Sequence, residues 1–415
     1  MESASIKKVL IHSLVFSPDS VSTAYLYNDI AIGLRNSGFD VVVLTTTPHY
    51  NVIDTELEKQ PFTKKYFGLF YTSEFNGIKV YHVPLHKYKS TLKRLLSFIY
   101  WHIASLLIGL TIKNISFVLS TSPPLSIGVV SIIIGKLKRA KTIYNVQEVY
   151  PDLLINQGYL KSSFVINILR KFERFIYNNS NAVTTIDEMF YAKISGRFKN
   201  VDTLKIIPNF VDTEFYRPLD KNSLLHSDFS KITSRIKVLY AGNIGFFQDW
   251  DPVLYAANQL KNENIEFWII GEGVKKADLE KEIKDQKITN IRIFPYQSRG
   301  SIPEINNIAD IHFISIDAKM EQEGFPSKVY TIMACAKPLI VVAGEKTPLY
   351  NFLKDKNCSI LVTENRNEGF TEAVRKLASN DDLRKELGHN AANLISSSYN
   401  KKSVVSEYVN LLNYL

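Results

Sequence analysis

The chain has 415 residues, long enough for two or three domains with a sizeable core. Hydrophobic residues make up 45% and charged residues 22%, a composition that excludes a disordered or fibrous protein. The formal net charge is +9, and two isolated cysteines exclude a disulfide framework and a cysteine-rich metal site, so a reducing cytosol is the expected compartment.

Short apolar runs alternate with longer amphipathic segments from the start of the chain. The first run, Lys8–Phe16, is predicted to be a buried strand because it is mostly apolar, and the N-terminal segment that contains it lacks the small-residue cleavage site of a secretory signal. A helix is predicted over Thr23–Ser37, ending at Gly38, because glycine readily adopts the left-handed backbone that follows a helix. Further strands of the first half are predicted at Asp40–Thr46, Ile78–Pro84, Ser116–Thr121, Thr142–Val146 and Asn181–Thr185.

The stretch between Glu74 and Glu148 contains no acidic residue, although it carries ten Lys and Arg residues. It also contains aromatic residues and a nearly unbroken apolar run, Leu95–Ile112. This combination suits an anionic membrane surface, to which each Lys or Arg contributes ~1 kcal/mol. A solvated protein surface is the alternative for the lysines. We predict membrane contact through the basic region 86–141 and no nucleic-acid partner, since no recognised binding module accompanies the charge.

The apolar run Leu95–Ile112 approaches the ~20 residues that a membrane-spanning helix needs. Its polar residues, among them His102, and the strand-like segments on both sides argue against a span. A spanning segment would cut the predicted domain in half. We therefore predict a core or interfacial helix and leave deep insertion into lipid open.

The second half repeats the alternation of strand and helix, and a break near Ile207–Asp220 separates the two halves. Repeated βα units predict parallel sheets covered on both faces, so two sets predict two doubly wound, Rossmann-like α/β domains. The predicted domains are 1–205 and 206–397. Strands of the second domain are predicted at Ile236–Tyr240, Glu266–Gly271, Ile291–Phe294, Ile311–Ile316, Pro338–Val342 and Ser359–Val362.

The segment 321–338 contains the most informative motif of the chain, EQEGFPSKVYTIMACAKP. Gly324 and Pro326 permit a tight turn into an apolar helix, and Lys328 supplies a positive charge at its start. Backbone N–H groups, a lysine and a helix N-terminus together favour an anion. A well-capped core helix is the alternative interpretation.

This segment resembles the donor loop of the family 4 glycosyltransferases, which have the two-domain GT-B architecture and use nucleotide-diphosphate sugars. Glu323 matches the first glutamate of the family loop, and Thr331 stands where the second, ribose-binding glutamate usually lies. The resemblance implies that Lys328 neutralises the diphosphate and that Glu323 binds sugar hydroxyls. It covers nearly the whole chain and is strongest toward bacterial colanic-acid and O-antigen L-fucosamine-type transferases. It further implies that two domains face a central cleft and that the last helix, 398–415, joins the first domain.

Other glycine-containing turns follow strands of the second half and extend the resemblance. Small residues there let a backbone approach a phosphate. Asn243 and Gln248 stand where family members often have an arginine and a lysine. The predicted donor-binding residues are Gly242, Asn243, Gly245, Gly271, Glu272, Gly273, Tyr296, Gly324, Phe325, Pro326, Ser327 and Thr331.

On the acceptor side, Gln147–Asp152 follows a strand end, where α/β folds bind ligands, and resembles a segment of the same polysaccharide enzymes. Glu148 or Asp152 is interpreted as orienting or deprotonating an acceptor hydroxyl, with helix N-capping as the alternative. The predicted catalytic set is Glu148, Glu323 and Lys328. The predicted acceptor-side residues are Phe16, Ser17, Asp19, Ser22, Thr23 and Asp152.

The Asp249-Trp-Asp251 pattern has the spacing of a metal-binding D-x-D motif. Asp251 precedes Pro252 and a helical stretch, so we interpret it as a helix N-cap. The resemblance implies that no metal and no cofactor is required, the nucleotide sugar being a co-substrate.

The resemblance therefore implies a retaining glycosyltransferase that moves a sugar from a nucleotide-diphosphate donor, expected to be a UDP-sugar, to a lipid-linked, polyprenyl-diphosphate saccharide. The resemblance places it in bacterial surface polysaccharide synthesis, O-antigen or capsule, peripheral on the inner face of the plasma membrane. Two alternatives remain open: a nucleotide-sugar epimerase of the same fold, and a non-enzymatic, basic membrane-binding protein.

Overall fold

The computed structural model describes residues 6–50, 52–86, 88–220, 235–318 and 325–415. The chain divides into two compact units with separate sheets. Unit 1 comprises Met1–Asn209 and Lys402–Leu415, and unit 2 comprises Phe210–Lys401. Both junctions lie four residues later than the domain limits 205 and 397 expected from the sequence.

Unit 1 is built on a nine-stranded sheet. Its strands are β1 (Lys8–His12), β2 (Asp40–Thr46), β3 (Thr63–Lys65), β4 (Phe70–Phe75), β5 (Ile78–Val83), β6 (Ile115–Thr121), β7 (Lys141–Val146), β8 (Ala182–Thr185) and β9 (Leu204–Ile206). Their order is β3-β4-β5-β2-β1-β6-β7-β8-β9, in which the β3–β4 and β4–β5 pairs are antiparallel and the other pairs parallel. The central strands β1 and β2 are buried almost throughout because helices cover both faces of a parallel sheet.

Seven helices of unit 1 connect these strands within the described residues. They are α1 (Ser22–Asn36), α2 (Asp54–Lys59), α3 (Thr91–Thr111), α4 (Ile127–Lys138), α5 (Asp152–Asn156), α6 (Ser163–Asn179) and α7 (Glu188–Ser195). The first of them ends as the sequence predicts. Gly38 adopts φ +93°, and the N–H of Phe39 donates to the carbonyl of Leu34.

Unit 2 has a six-stranded, all-parallel sheet in the order β12-β11-β10-β13-β14-β15. Its strands are β10 (Ile236–Ala241), β11 (Ile265–Ile270), β12 (Ile291–Phe294), β13 (Ile311–Ser315), β14 (Leu339–Val342) and β15 (Ser359–Val362). Its helices are α8 (Asp251–Gln259), α9 (Lys276–Asp285), α10 (Ile302–Ile308), α11 (Lys328–Ala334), α12 (Pro348–Leu353), α13 (Arg366–Ala378) and α14 (Asp381–Ser398). Separate hydrophobic cores, one around Phe267 and Phe370 and another around Val329 and Met333, lie on this sheet.

The last helix, α15 (Lys401–Tyr414), belongs to unit 1 from Lys402 onward. A Cβ on Gly33 of α1 would lie 2.5 Å from Cγ1 of Val405, so the two helices touch directly at this point. Val405 and Tyr408 of α15 are buried. The two ends of the chain therefore contribute to one core.

The predicted fold class, two doubly wound α/β domains, is confirmed. All twelve predicted strands occur, although β1 ends at His12 instead of Phe16. It ends there because the following backbone forms turn contacts instead of a ladder: Ser13 Oγ donates to Val15 O, and Asp19 N donates to Phe16 O. The sequence analysis missed β3 and β9, which are short edge strands, and β4, which lies next to an edge.

Candidate active site

In each sheet, the order in which successive strands are added reverses beside the first strand of the unit. In unit 1, β2 lies on one side of β1 and β6 on the other; in unit 2, β11 and β13 flank β10 in the same way. The loops that leave the carboxyl ends of two such strands diverge, which opens a crevice where doubly wound folds bind ligands. The loops after β1, β10 and β13 are therefore the candidate binding segments of their units.

Two predicted glycine turns of unit 2 pack directly on each other. A Cβ on Gly271 would lie 1.9 Å from the carbonyl oxygen of Gly242, and a Cβ on Gly273 would lie 2.1 Å from that of Ile244. The N–H of Gly242 donates to Ile270 O at 2.9 Å, and the N–H of Ile244 donates to Glu272 O at 2.8 Å. Because these glycines have no side chain, the loop after β10 can pack directly against the loop after β11 and is held there by the two backbone hydrogen bonds.

Lys328 reaches the loop after β10 from the start of α11. Its Nζ lies 3.6 Å from the centre of the Tyr240 ring, and a Cβ on Gly242 would lie 2.5 Å from the same Nζ. Tyr240 is buried, and its hydroxyl donates to Asn243 O at 2.6 Å. A cation over an aromatic face gains about 0.5–2 kcal/mol, so the ring holds the ammonium at the carboxyl end of β10.

The environment of Lys328 disfavours its own charge. Burial lowers the pKa of Lys328 to about 7, because few polar groups replace the water lost around the ammonium. Within the described ranges, Lys328 forms no ion pair with a carboxylate. An anion bound beside this ammonium would raise its pKa again, so anion binding and protonation of Lys328 are coupled.

We expect the affinity for a nucleotide sugar to fall as the pH rises above about 7, the pKa of Lys328. Below that pH, Lys328 is already charged; above it, binding must take up a proton. The Kd should therefore rise by up to about tenfold per pH unit until the higher pKa of the complex is reached. Calorimetric titrations between pH 6 and about 9 would measure this slope. The diphosphate of a nucleotide sugar does not titrate in this range, and Lys328→Met should remove the slope.

The remaining residues of the predicted donor loop differ in solvent exposure, and two of them are not described by the structure. Glu323 and Gly324 lie outside the described residues. Ser327 is exposed, whereas the side chain of Phe325 packs against Tyr330 and Phe352, with ring centres 5.2 Å away in both cases. The phenylalanine side chain thus supports the turn, and its contact with a donor stays a prediction.

Fewer free backbone amides are available at α11 than the sequence suggests. The N–H of Val329 donates to Pro326 O, and the N–H of Tyr330 donates to Ser327 O. The hydroxyl of Thr331 donates to Lys328 O at 2.9 Å, within the seven-residue helix. These groups are used by the turn itself, so the lysine carries more of the positive charge than expected.

Three further predicted donor residues lie in the loops after β10, β11 and β12. Glu272 forms an ion pair with Lys276 at 2.6 Å, and Tyr296 is half exposed. Gly245 N donates to Gln248 Oε1 at 3.0 Å. Gln248 stands where the family often has a lysine, and here it braces the loop through a hydrogen bond.

The predicted acceptor side of unit 1 contains several residues that hold loops in place. Asp19 is buried, and its Oδ1 accepts hydrogen bonds from the N–H groups of His49 and Tyr50 at 2.8 and 2.7 Å. Phe16 is also buried and packs edge-on against Phe75, so it supports the loop after β1 instead of contacting a ligand. Ser22 and Thr23 begin α1 at the same end of the sheet, the serine exposed.

Glu148 follows β7 and lies near two tyrosines that the sequence analysis did not assign to the site. Burial raises the pKa of Glu148, while a hydrogen bond with Tyr150 opposes this shift. Burial, Asp19 and Glu148 together raise the pKa of Tyr50. A carboxylate of raised pKa between phenols can accept a proton from a bound hydroxyl. The sequence signal for Tyr150 was its position two residues after Glu148.

Asp152 lies in a different environment. Its carboxylate pairs with Arg197, which also contacts Glu173 at 2.6 Å. The arginine therefore joins the starts of α5 and the middle of α6 to the segment after α7. Asp152 holds these elements together rather than presenting a free carboxylate to an acceptor.

The Asp249-Trp-Asp251 segment differs in detail from its prediction. Asp249, not Asp251, receives a hydrogen bond from the backbone, the N–H of Asp251, and it also pairs with Arg366 at 3.3 Å. Asp251 is the first residue of α8 and is followed by Pro252. No group of three or more His, Cys, Asp or Glu side chains with metal-binding geometry occurs in the described part of the chain.

Comparison with known proteins identifies unit 2. Residues 224–394 match the family model described as glycosyl transferases group 1. Unit 2 contains a group 1 glycosyltransferase domain, and the protein is a glycosyltransferase. The matched region includes Tyr240, Gly242, Gly271 and Lys328, the residues that meet at the carboxyl end of β10.

The glycosyltransferase is also similar to proteins over nearly its whole length. It is 26% identical over 362 residues to WcaI of Escherichia coli K12, which is named for colanic acid biosynthesis. The aligned region covers 82% of this chain and 84% of WcaI. Sucrose-phosphate synthase from Thermosynechococcus elongatus has a TM-score of 0.72 at 12% identity, with 98% of each chain covered. HepE from Anabaena, in complex with UDP, has a TM-score of 0.71 at 11% identity, with 99% of this chain and 100% of HepE covered. At such low identities the two structures support the fold alone.

Proposed function

We propose that this glycosyltransferase moves a sugar from a UDP-sugar to a polyprenyl-diphosphate-linked saccharide during surface polysaccharide synthesis. The ammonium of Lys328 over Tyr240, at the switch point of the unit 2 sheet, is the observation that carries the proposal. It is a half-buried, positively charged group positioned where this fold binds ligands. The UDP bound in the HepE structure and the colanic-acid name of WcaI favour this donor and this pathway.

In the proposed reaction, the bond between the anomeric carbon and the donor phosphate breaks, and a bond from that carbon to an acceptor oxygen forms. Negative charge grows on the leaving diphosphate, and Lys328 stabilises it more in the transition state than in the ground state. The family resemblance implies that the anomeric configuration is retained and that no metal ion binds the donor. The acceptor proton then passes to the departing phosphate on the same face of the sugar. Glu323 would bind sugar hydroxyls, and Glu148 would orient the acceptor hydroxyl.

The lipid-linked acceptor is supported by the surface of unit 1. Among the described helices, α3 alone is long and apolar enough, by length and composition, to cross a membrane, and 22% of an 18-residue stretch of it is buried. Trp101 and Ile108 of this helix pack into unit 1, whereas Leu95 and Leu96 are exposed. One buried face and one apolar exposed face suit a helix that lies at the membrane surface. We accordingly propose a peripheral location on the cytoplasmic face of the plasma membrane.

A thermal-shift screen against UDP, GDP, ADP and their sugars tests the donor assignment. A ligand that binds the native state raises the melting temperature by mass action, so a shift confined to uridine nucleotides is the expected result. Lys328→Met should reduce that shift, while the matched surface variant Lys281→Ala should retain it. A folded protein that responds to none of these nucleotides would contradict the proposed function.

A nucleotide-sugar epimerase remains the second candidate among enzymes. It would convert the donor when no acceptor is present. Incubation with the UDP-sugar alone, followed by analysis of the recovered nucleotide sugar, separates the two activities. The transferase is expected to return the donor unchanged and to consume it only when a lipid-linked saccharide is added.

A further inference from the structure

Exposed apolar side chains are concentrated in unit 1. Of the large apolar side chains that are exposed among the described residues, four lie in unit 2 and the others in unit 1. Three of these belong to the turn between β3 and β4: Tyr66, Phe67 and Leu69 are 73%, 102% and 58% exposed. A soluble monomer rarely leaves such a group in water without a partner.

This turn lies at the edge of the sheet where the parallel strands end. β3 and β4 form an antiparallel hairpin in which Lys65 pairs with Phe70, and β4 continues antiparallel to β5, with Tyr71 opposite His82. His82 is the penultimate residue of β5, whose end lies opposite Thr46 at the end of β2. The hairpin turn therefore extends beyond the carboxyl ends of the strands, on the edge that carries the acceptor-side loops.

The middle of α3 lies beside the hairpin turn. The hydroxyl of Tyr100 donates to Leu69 O at 2.5 Å, which joins the helix to the turn. The exposed apolar side chains of the helix are Leu92, Leu95, Leu96, Ile99, Ile103 and Leu107. We call the hairpin turn, residues 66–69, together with these six side chains the apolar edge surface.

Basic residues accompany the apolar edge surface. Lys64 and Lys65 precede the turn, and Lys93 and Arg94 lie in the first turn of α3; all four are exposed. The sequence that contains α3 has no Asp or Glu between Glu74 and Glu148. Apolar and aromatic side chains beside exposed cations complement an anionic bilayer, where the rings enter the interface and the cations meet head groups.

The backbone of the hairpin turn gives independent support. Tyr66 and Phe67 adopt left-handed conformations, with φ of 43° and 57°. Bulky side chains are unfavourable there, whereas Asn and Asp are accepted more readily. A fully exposed phenylalanine in this conformation contributes no core packing, so the stability of the fold does not explain it.

The base of the hairpin is connected to the acceptor-side loop. Gln60 donates through Nε2 to Ser73 Oγ of β4 at 2.8 Å and accepts at Oε1 from Ser17 Oγ at 2.7 Å. Gln60 is buried, so water has little access to compete for these hydrogen bonds. The turn and the loop after β1 are thus held in a fixed relation.

We infer that the apolar edge surface inserts into the interface of an anionic bilayer and thereby holds the acceptor edge of unit 1 at the membrane. This inference rests on the proposed function, because it assumes that the acceptor saccharide is carried by a membrane lipid. It assigns the contact to the hairpin turn as well as to the basic region 86–141. A saccharide on a lipid head group would then meet the loops after β1 and β7 without leaving the interface.

An environment-sensitive label on the hairpin turn tests the inference. Phe67→Cys and the matched control Tyr414→Cys, each at an exposed aromatic position, can be labelled because Cys335 and Cys358 are buried. With vesicles of phosphatidylglycerol and phosphatidylcholine, we expect a blue shift and quenching by brominated lipid for the label at 67 but not at 414. Vesicles of phosphatidylcholine alone should bind less protein.

Three results would overturn the inference. They are no binding to anionic vesicles, binding with an unchanged label at 67, and a shift that grows with protein concentration without vesicles. The last result would assign the surface to a second copy of the chain. Because these measurements use neither donor nor acceptor, their outcome is separate from that of the nucleotide screen.

The variant Phe67→Asp distinguishes lipid contact from a structural role. It should weaken partitioning onto anionic vesicles by about tenfold or more, since it replaces an inserted ring with a charge. Its melting temperature should stay the same or rise, because Asp tolerates the left-handed backbone. Tyr414→Asp should leave partitioning unchanged. Loss of vesicle binding that is matched by loss of the native fold, or full binding by Phe67→Asp, would contradict lipid insertion.

Discussion

Replacement of Lys328 with alanine is expected to lower kcat/KM by about 100-fold to 1,000-fold, the usual cost of removing one fixed charge-stabilising donor from a transition state. The reason is specific to this site: the other groups expected to share the diphosphate charge are missing or engaged. Asn243 and Gln248 are uncharged, and the amides of Val329 and Tyr330 donate within the turn. Steady-state kinetics with a radiolabelled nucleotide sugar would measure the loss.

The fold should survive this substitution. The ammonium is disfavoured by its surroundings, as its lowered pKa of about 7 indicates, so its removal costs little folding free energy. Circular dichroism and thermal unfolding should match the wild type, and Lys281→Ala should retain full turnover. Near-normal turnover in folded Lys328→Ala protein would remove the lysine from the donor site.

Gly242→Ala is expected to reduce turnover by about tenfold to 100-fold by displacing the same ammonium, a 1 Å misplacement being enough to cost about 100-fold. The added Cβ would lie 2.5 Å from Lys328 Nζ, and Gly242 has φ +148°, a backbone conformation that alanine rarely adopts, so both the lysine end and the local backbone must move. Gly158→Ala is the control for the backbone strain, because Gly158 has φ +72° and its added Cβ meets nothing within 4 Å.

A double-mutant cycle connects the two substitutions. If Gly242→Ala acts through Lys328, it should cost little further activity in a Lys328→Ala background, since residues that share one interaction are not additive. Fully additive losses would show that Gly242 acts by another route, such as its carbonyl contact with Gly271. Melting temperatures of all three variants would separate either effect from unfolding.

The central strands were predictable because burial on both sides of a parallel sheet leaves continuous apolar runs. The segments 41–44 and 267–270 show this pattern clearly. The hairpin of β3 and β4 does not: β3 is exposed throughout, and β4 is mostly half buried. Its strands form because β5 offers an edge for pairing. That pairing produces no alternation of apolar residues in the local sequence from which the strands could be predicted.

The site shows the same limit. Gly242 and Lys328 could each be identified from local motifs, but their contact depends on β10 and β13 being neighbours. From the sequence, Tyr240 is indistinguishable from an ordinary core residue. Only the structure shows that the Lys328 ammonium lies over its ring. Asp152 has the appearance of a ligand, whereas its partner Arg197 stands 45 residues later and cannot be inferred from sequence spacing.

The contact between α1 and α15 affects the order in which this protein can be made. Residues 402–415 complete the surface around Gly33, yet the ribosome synthesises them after all of unit 2. Domains usually fold as their chain emerges, N-terminal segments first. Here the first unit must wait, with part of α1 uncovered, until the second has been translated. A chain that is released after Lys401 should therefore carry a folded unit 2 beside a unit 1 that proteases and chaperones still recognise.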